Sequence, residues 1–225
     1  MRVPITVIYE DNHLIAVIKP AGMLVHGDET GDTPLIDHVK RYIKDRYNKP
    51  GDVFLGTIHR LDRPVSGVVI FARTSKALSR MNELLRKKEI KKTYHAIVTG
   101  RFPEFSGTLN HHIIKESRSN FVRAFTRSKK GTKPATTEYA VEGELHGFTK
   151  VRLHPITGRS HQLRVQCAKV ECPMVGDLKY GSKHKTNDYS ICLHCSSMEF
   201  IHPVKKEAVK IECDLPKTQY WDHFA

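Results

Sequence analysis

Apolar and polar positions divide the chain into short elements. Residues 7–19, Val-Ile-Tyr-Glu-Asp-Asn-His-Leu-Ile-Ala-Val-Ile-Lys, read as two strands around an Asp-Asn turn. Lys19-Pro-Ala-Gly22 ends the second strand with turn chemistry. Thr33 as N-cap and Pro34 at the first helical position predict a helix to about Tyr47, stopped by Asn48, Pro50 and Gly51. Val68–Ala72 is a continuous β-branched, apolar run and predicts a buried strand. Thr74 or Ser75 then caps a second helix with Leu78, Met81, Leu84 and Leu85 on one face. Further strands are predicted near 93–99, 107–113, 120–126, 135–145, 148–154, 190–201 and 208–213. A third helix, capped by Ser160, runs to about Val170 and stops at Cys172-Pro173. Strands often follow strands with no helix between. The expected fold is therefore α+β, with a mixed, largely antiparallel central sheet flanked by helices. A single domain is expected over residues 1–225, its core at about 7–216, with 115–133 as a basic insertion.

Composition narrows the class. Of 225 residues, 39% are hydrophobic and 27% charged, which supplies a core and argues against intrinsic disorder. No apolar run approaches the roughly 18–20 residues of a membrane-spanning helix. The start, Met-Arg-Val-Pro-Ile-Thr, lacks an apolar secretory segment, so a cytoplasmic, membrane-free protein is expected. The five cysteines are odd in number and do not suggest a disulfide framework. Cys192 and Cys195 have a C-x-x-C spacing near His184, His194 and His202, but the segment reads as a strand, where residues three apart face opposite ways. Small buried thiols, with no metal, are the better reading.

Charge points to a partner. The formal net charge is +13, which favours a polyanion. Between Lys115 and Lys133 stand Lys115, Arg118, Arg123, Arg127, Lys129, Lys130 and Lys133 against Glu116 alone, with Phe121 and Phe125 interleaved. The second helix and its exit add Lys76, Arg80, Arg86, Lys87, Lys88, Lys91 and Lys92 against Glu83 and Glu89. A charge run is usually a solvated face, but two such clusters in a basic chain favour a phosphate-binding surface. Charge alone would also suit an acidic protein or a membrane surface.

Three segments carry candidate chemistry. In Gly56-Thr-Ile-His-Arg-Leu-Asp-Arg-Pro-Val-Ser-Gly67, Asp62 lies between Arg60 and Arg63. The plain reading is a turn aspartate bonding its own backbone; the functional one is a carboxylate kept ionised by cations, able to act as nucleophile or base. In Lys92-Thr-Tyr-His-Ala-Ile-Val98, Tyr94 shares a strand face with Ala96 and Val98, as an ordinary half-buried tyrosine would. In His154-Pro-Ile-Thr-Gly-Arg-Ser-His-Gln-Leu-Arg-Val165, Arg159 and Arg164 bracket a helix start, a place that favours anions without any chemistry.

Together these segments resemble the RluA-type family of RNA pseudouridine synthases. The likeness rests on Asp-Asn-His-Leu-Ile-Ala-Val-Ile-Lys-Pro-Ala-Gly, His-Arg-Leu-Asp-Arg followed by Ser-Gly, Lys-Lys-Thr-Tyr-His-Ala, Gly-Arg-Ser-His-Gln-Leu-Arg, and Gly-Asp-x-x-Tyr-Gly, in the family's order from about residue 10 to 216. The departures are small: Val65 where the family often has Thr, and Cys195 where it often has Ala. The resemblance implies isomerisation of uridine in structured ribosomal or transfer RNA, with no cofactor and no metal, by a monomer. It implies Asp62 as the catalytic carboxylate, Tyr94 as the tyrosine stacked on the target base, and Arg164 as the cation paired with the aspartate. Leu163, Arg60, His59, Arg63, Arg159, His161 and Gln162 would line the substrate. Lys88, Lys91, Lys92, Arg123, Arg127, Lys129 and Lys130 would face the RNA backbone. Attack at C6 of uracil, attack at C1′ and a glycal route all fit this set. A non-catalytic RNA-binding protein would have no reason to keep Asp62, Tyr94 and Arg164 together. A metal-dependent nuclease would call for a carboxylate cluster, and Asp62 has only Asp52 within ten residues.

Overall fold

Asp11 makes the first hairpin. Its carboxylate accepts the backbone N–H groups of His13 and Leu14, both at 2.8 Å, and so closes the turn between β1 (Thr6–Glu10) and β2 (Leu14–Lys19). The same carboxylate accepts from Tyr9 Oη at 3.0 Å and Lys205 Nζ at 3.1 Å, and lies 3.0 Å from His202 Nε2. Burial opposes its charge, but these donors outweigh that and hold its pKa well below the usual carboxylate range. His202 Nδ1 accepts from the backbone N–H groups of Val204 and Lys205, and burial pushes this imidazole toward its neutral form.

The computed structural model describes residues 5–116, 119–218 and 220–224, which fall into two compact units. The first comprises the chain up to Ile90 together with Cys195–Asp214. Here β1 pairs with β2, and β2 with β4 (Ser66–Ala72), both antiparallel. Next to β4 comes β10 (Leu193–Ile201), flanked by β11 (Ala208–Glu212). A two-residue strand, β3 (Gly56–Thr57), pairs with β4; its polar, glycine-led pair gives no periodicity from which to predict it. The uninterrupted apolar runs are buried as expected: Leu14–Val17 and Val68–Ala72 are all fully inaccessible.

Helix α2 (Ser75–Lys87) packs on β4 and starts as predicted, with Thr74 Oγ1 accepting the Ala77 N–H at 3.1 Å. Its end is a left-handed Lys88. Helix α1 (Leu35–Arg46) begins later than the sequence suggests. Pro34, extended, occupies the cap position with no side-chain cap, and the first turn is instead tied by Leu35 and Ile36 N–H groups to the carbonyls of Leu24 and Val25. Thr33 therefore lies outside the helix.

The second unit comprises Lys91–His194 and the chain from Leu215. Its strands β5 (Lys91–Thr99), β6 (Ser106–Lys115), β7 (Val122–Phe125), β8 (Lys133–Leu145) and β9 (Phe148–Pro155) join in the order β5-β9-β8-β6-β7 through antiparallel ladders. The segment read as an insertion is thus largely a hairpin arm, β6–β7, plus the turn into β8; Arg118 lies outside the described residues. A bulge at Val141–Gly143 sets Glu142 beside His95 (3.3 Å), Arg152 (3.4 Å) and Lys150 (3.9 Å). The C-terminal aromatic tail closes a small core in which Trp221 packs with Ile97, Val175 and Cys192. Burial pushes the Cys192 thiol up to about 12, in keeping with an inert core cysteine.

Helix α3 (Gln162–Lys169) starts two residues after Ser160. His161 holds the cap position with φ of 50°, a left-handed conformation that ends Ser160's claim as the cap. No long apolar helix able to cross a membrane occurs among the described residues.

Gly67 tests the first unit. Its φ is +120°, and a Cβ there would lie 2.3 Å from the Cys195 carbonyl oxygen and 2.5 Å from its nitrogen. The backbone of β10 leaves no room for that carbon. Gly67→Ala is therefore expected to lower stability by about 2–5 kcal/mol, combining backbone strain with overpacking, measurable by urea unfolding.

Candidate active-site residues

In the first unit, the Asp62 loop is built around a buried lysine. Lys19 is fully inaccessible, and its Nζ donates to the carbonyls of Met23 (2.7 Å), Pro20 (3.0 Å) and Arg63 (3.1 Å). Three acceptors match the three hydrogens of an ammonium. Gly22 N–H donates to the same Arg63 carbonyl at 2.8 Å, and Arg63 Nε returns a bond to Gly22 O at 3.0 Å. The Lys-Pro-Ala-Gly turn and the His-Arg-Leu-Asp-Arg loop are thereby clasped by their backbones. Val65 N–H donates to Asp62 O at 3.0 Å and closes the turn that carries the carboxylate. Burial pushes the Lys19 ammonium down to about 7; the Asp62 charge opposes that shift and Arg63 adds to it.

The neighbours of Asp62 have different places. Arg60 is exposed, and Arg63 is half exposed with its guanidinium on Asp32 at 2.6 Å. His59 is buried, and its Nε2 accepts the Ile70 N–H at 3.1 Å. It therefore braces β4 beneath the loop; the resemblance also sets this residue at the substrate.

In the second unit, Tyr94 is buried on β5, opposite Leu153 of β9. Arg164 and Leu163 are buried in the first turn of α3. Arg164 makes a two-pronged ion pair with Asp177: Nε to Oδ2 at 2.8 Å and Nη2 to Oδ1 at 2.9 Å, both side chains almost wholly inaccessible. Its guanidinium lies over the Tyr180 ring, 5.1 Å from the centroid. Asp177 and Tyr180 come from the Gly-Asp-x-x-Tyr-Gly motif, visible in the sequence but without an assigned role there. A pairing across thirteen residues leaves no local trace.

Helix α3 is held against the sheet by buried amides. Gln162 Nε2 donates to Thr136 O and Thr137 Oγ1, and its Oε1 accepts from Thr157 Oγ1 and the Arg159 N–H. Gln166 Nε2 donates to Leu109 O and Ala135 O. The resemblance sets Gln162 at the substrate, and its amide acts inside the protein as a clamp on the loop before α3. Arg159 is exposed, with Nε on Pro134 O at 3.2 Å, and His161 is half-buried.

The predicted RNA-backbone residues are mostly open. Lys88, Lys91, Arg127, Lys129 and Lys130 are exposed and Lys92 is half-buried. Lys129 Nζ sits 4.2 Å over the Phe125 ring. Arg123 is exposed but paired with Glu116. No group of three or more His, Cys, Asp or Glu suited to a metal occurs among the described residues.

The Arg164–Asp177 pair is expected to govern stability. Asp177→Asn leaves a buried guanidinium short of its counter-charge and should cost about 3–5 kcal/mol, while adding Arg164→Met should recover most of that loss. Urea unfolding of the single and double variants measures both.

Comparison with known proteins places these residues in a family. The family described as RNA pseudouridylate synthase matches residues 13–169. The chain is 33% identical over 216 residues to ribosomal large subunit pseudouridine synthase C of Buchnera aphidicola subsp. Baizongia pistaciae, covering 93% of this chain and 66% of that protein. It is 30% identical over 217 residues to the protein of that name from Escherichia coli K12, with the same coverages. It thus spans about two thirds of the length of these relatives. Its fold is similar to human RNA pseudouridylate synthase domain containing 4, with a TM-score of 0.80, 24% identity, and coverage of 97% of this chain and 90% of that one. Human RNA pseudouridylate synthase domain containing 1 gives a TM-score of 0.76 at 25% identity, covering 98% and 87%. The family match takes in the Lys19 turn, the Asp62 loop, Tyr94 and Arg164, and this chain belongs to the RNA pseudouridylate synthase family.

Proposed function

We propose that this chain isomerises uridine to pseudouridine in structured RNA, with Asp62 as the catalytic carboxylate. Membership of the family, together with the intact Asp62, Tyr94 and Arg164, carries the reading. The names of the relatives favour large-subunit ribosomal RNA as the substrate. The protein would act as a monomer in the cytoplasm.

The reaction breaks the bond from ribose C1′ to uracil N1, turns the base, and joins C1′ to C5. The C5 hydrogen leaves and N1 ends protonated, so atoms and electrons balance without a co-reactant. Asp62 would start the exchange by attack at C6 or C1′, or as the base of a glycal route. Arg164 would pair with it, keeping it charged and aimed; the Asp177 carboxylate and the Tyr180 ring hold that guanidinium in one orientation. Tyr94 would stack on the uracil, with Leu163 as apolar neighbour, and offer a hydroxyl near the C5 proton.

The uridine must leave its stack, which costs a few kcal/mol. Contacts from Arg60, Arg63, Arg159 and His161, and from Lys88, Lys91, Lys92, Arg123, Arg127, Lys129 and Lys130 to phosphates, would offset that cost.

Mapping pseudouridine across total RNA with and without the protein identifies the target; no change at any uridine would overturn the reading. In vitro, Asp62→Asn should lower the rate at least about a thousandfold with RNA affinity retained. Arg164→Met should lower it about a hundredfold, far more than Lys130→Ala.

A binding measurement tests the hairpin. Replacing Arg127, Lys129 and Lys130 by Gln should flatten the slope of log affinity against log salt by roughly 0.7–0.9 for each phosphate no longer neutralised. An unchanged slope would remove this arm from the RNA surface.

A further inference from the structure

Arg73, in the first unit, is held firmly but satisfied only in part. It follows β4 directly, at the end of that strand away from the Asp62 turn. Its Nη1 donates to Glu10 Oε1 at 3.0 Å and to Asp11 O at 2.6 Å. Its guanidinium lies over the Tyr47 ring, 4.8 Å from the centroid. Glu10 is fixed in turn by the hydroxyls of Tyr42 (3.1 Å) and Tyr47 (2.9 Å). One end and one face of the group are therefore committed. Nε and Nη2, which carry three of its five N–H hydrogens, make no hydrogen bond among the described residues. Neither nitrogen is among the atoms sealed from solvent without a partner, so both reach open space, although the side chain is only 12% exposed.

Arg73 forms part of the wall of a cavity of about 230 Å³. The rest of the wall comes from the end of α1 and the chain that leaves it. Asn48, with φ of 47°, turns the backbone out of the helix, and the Lys49 N–H donates to Lys44 O at 3.1 Å. Lys49, Asp52, Val53 and Phe54 then line the cavity together with Ile43 of α1. Ile43 is buried, Val53 half-buried, and Phe54 keeps 50% of its surface exposed. The wall thus combines apolar surface, an aromatic ring, an unused guanidinium edge, one ammonium and one carboxylate. The volume lies below the roughly 300–1,000 Å³ of pockets for drug-sized ligands and suits a single planar ring system.

The chemistry selects the ring. A guanidinium edge pairs best with two acceptors side by side. A phosphate offers them, but Ile43, Val53 and Phe54 give it no partner and Asp52 repels it. Guanine offers O6 and N7 to an arginine fork and a flat face to an aromatic ring. Its N1–H and N2–H groups suit a carboxylate such as Asp52. Adenine has an amino group where guanine has O6, and would meet the guanidinium with a donor.

We propose that this cavity binds one unpaired guanine of the RNA, stacked on Phe54, with Arg73 donating to O6 and N7, Asp52 accepting from the opposite edge and Lys49 at the adjoining phosphate. The proposal rests on the reading of RNA as substrate and adds a base that is recognised away from the reacting uridine. The seven residues of β4 separate Arg73 from the Asp62 turn, which at about 3.3 Å per residue is roughly 20–25 Å. The cavity is therefore a specificity site outside the reacting centre.

Three labelled single-stranded hexanucleotides test it. Each is uridine throughout except at one position, which holds guanine, adenine or 7-deazaguanine. Fluorescence anisotropy with the full chain reads Kd for each strand. The guanine strand should bind about tenfold more tightly than the adenine strand, and the 7-deazaguanine strand, which lacks N7, should lose most of that preference. Contacts to phosphates and uracils are common to all three and cancel in the ratio. Phe54→Ala removes a half-exposed ring and should bring the guanine-to-adenine ratio close to one. Arg73→Lys keeps a cation beside Glu10 but loses the fork, and should do the same. Equal Kd for the guanine and adenine strands in the wild type, a 7-deazaguanine strand that binds as well as guanine, or a preference that survives either substitution would overturn the proposal. Binding is read without turnover. A guanine preference that depends on Phe54, in a protein that forms no pseudouridine, would sink the functional reading alone. Pseudouridine formation with no such preference would sink the cavity alone.

Discussion

An ammonium with three carbonyl partners and no access to water is the constraint on which the first unit depends. Lys19 sits at the end of β2, opposite Gly67 in the β2–β4 ladder, and its three acceptors come from both turns that meet there. Burying a cation is expensive unless its hydrogens are used, and here each has an acceptor. The residue after Asp62 supplies one of those carbonyls. The loop that carries the carboxylate is thus fixed by hydrogen bonds to its main chain. Gly67 completes the arrangement by letting β4 run against the Cys195 backbone where no Cβ would fit.

The second unit solves the complementary problem for a guanidinium. Arg164 has five N–H groups to satisfy if it is to be buried in one pose. Asp177 takes two of them in a parallel fork, and the Tyr180 ring faces the plane. Gln162 and Gln166, one turn apart, fasten the same helix to β8 and β6 through amide bonds. The helix carrying Arg164 is short and not amphipathic, with Gln162–Cys167 buried all round. Its stability must come from those tertiary bonds, because eight residues do not form a helix alone.

Much of this is legible in the amino-acid order. The β2 and β4 runs, the Thr74 cap, the hairpin at Asp11 and the α+β class follow from period, composition and turn chemistry. The family motifs mark Asp62, Tyr94 and Arg164. Two helix starts differ from expectation although Thr33 and Ser160 are good capping residues: at α1 tertiary bonds to Leu24 and Val25 set the first turn, and at α3 a left-handed His161 does. Glu142 enters its cluster through a bulge, which sequence period does not reveal. The resemblance sets His59 and Gln162 at the substrate; the bonds they make to β4, β8 and the loop before α3 join residues too far apart in sequence to be read from it. Lys19, Asp177 and Tyr180 lie in the family motifs, but their roles depend on partners far along the chain.

The place of β7 gives the basic hairpin a second significance. It is four residues long, lies last in the strand order of its unit, and carries Arg123, with Arg127, Lys129 and Lys130 in the turn that follows. A terminal strand of this kind is a template for self-association, and shortness and positive charge are what deter another copy from adding to it. The cations read as partners of RNA thus also place positive charge on and beside an open strand edge, a feature that disfavours pairing with another copy. A substitution that removed one of these charges would therefore be expected to act on the strand edge as well as on any polyanion bound there.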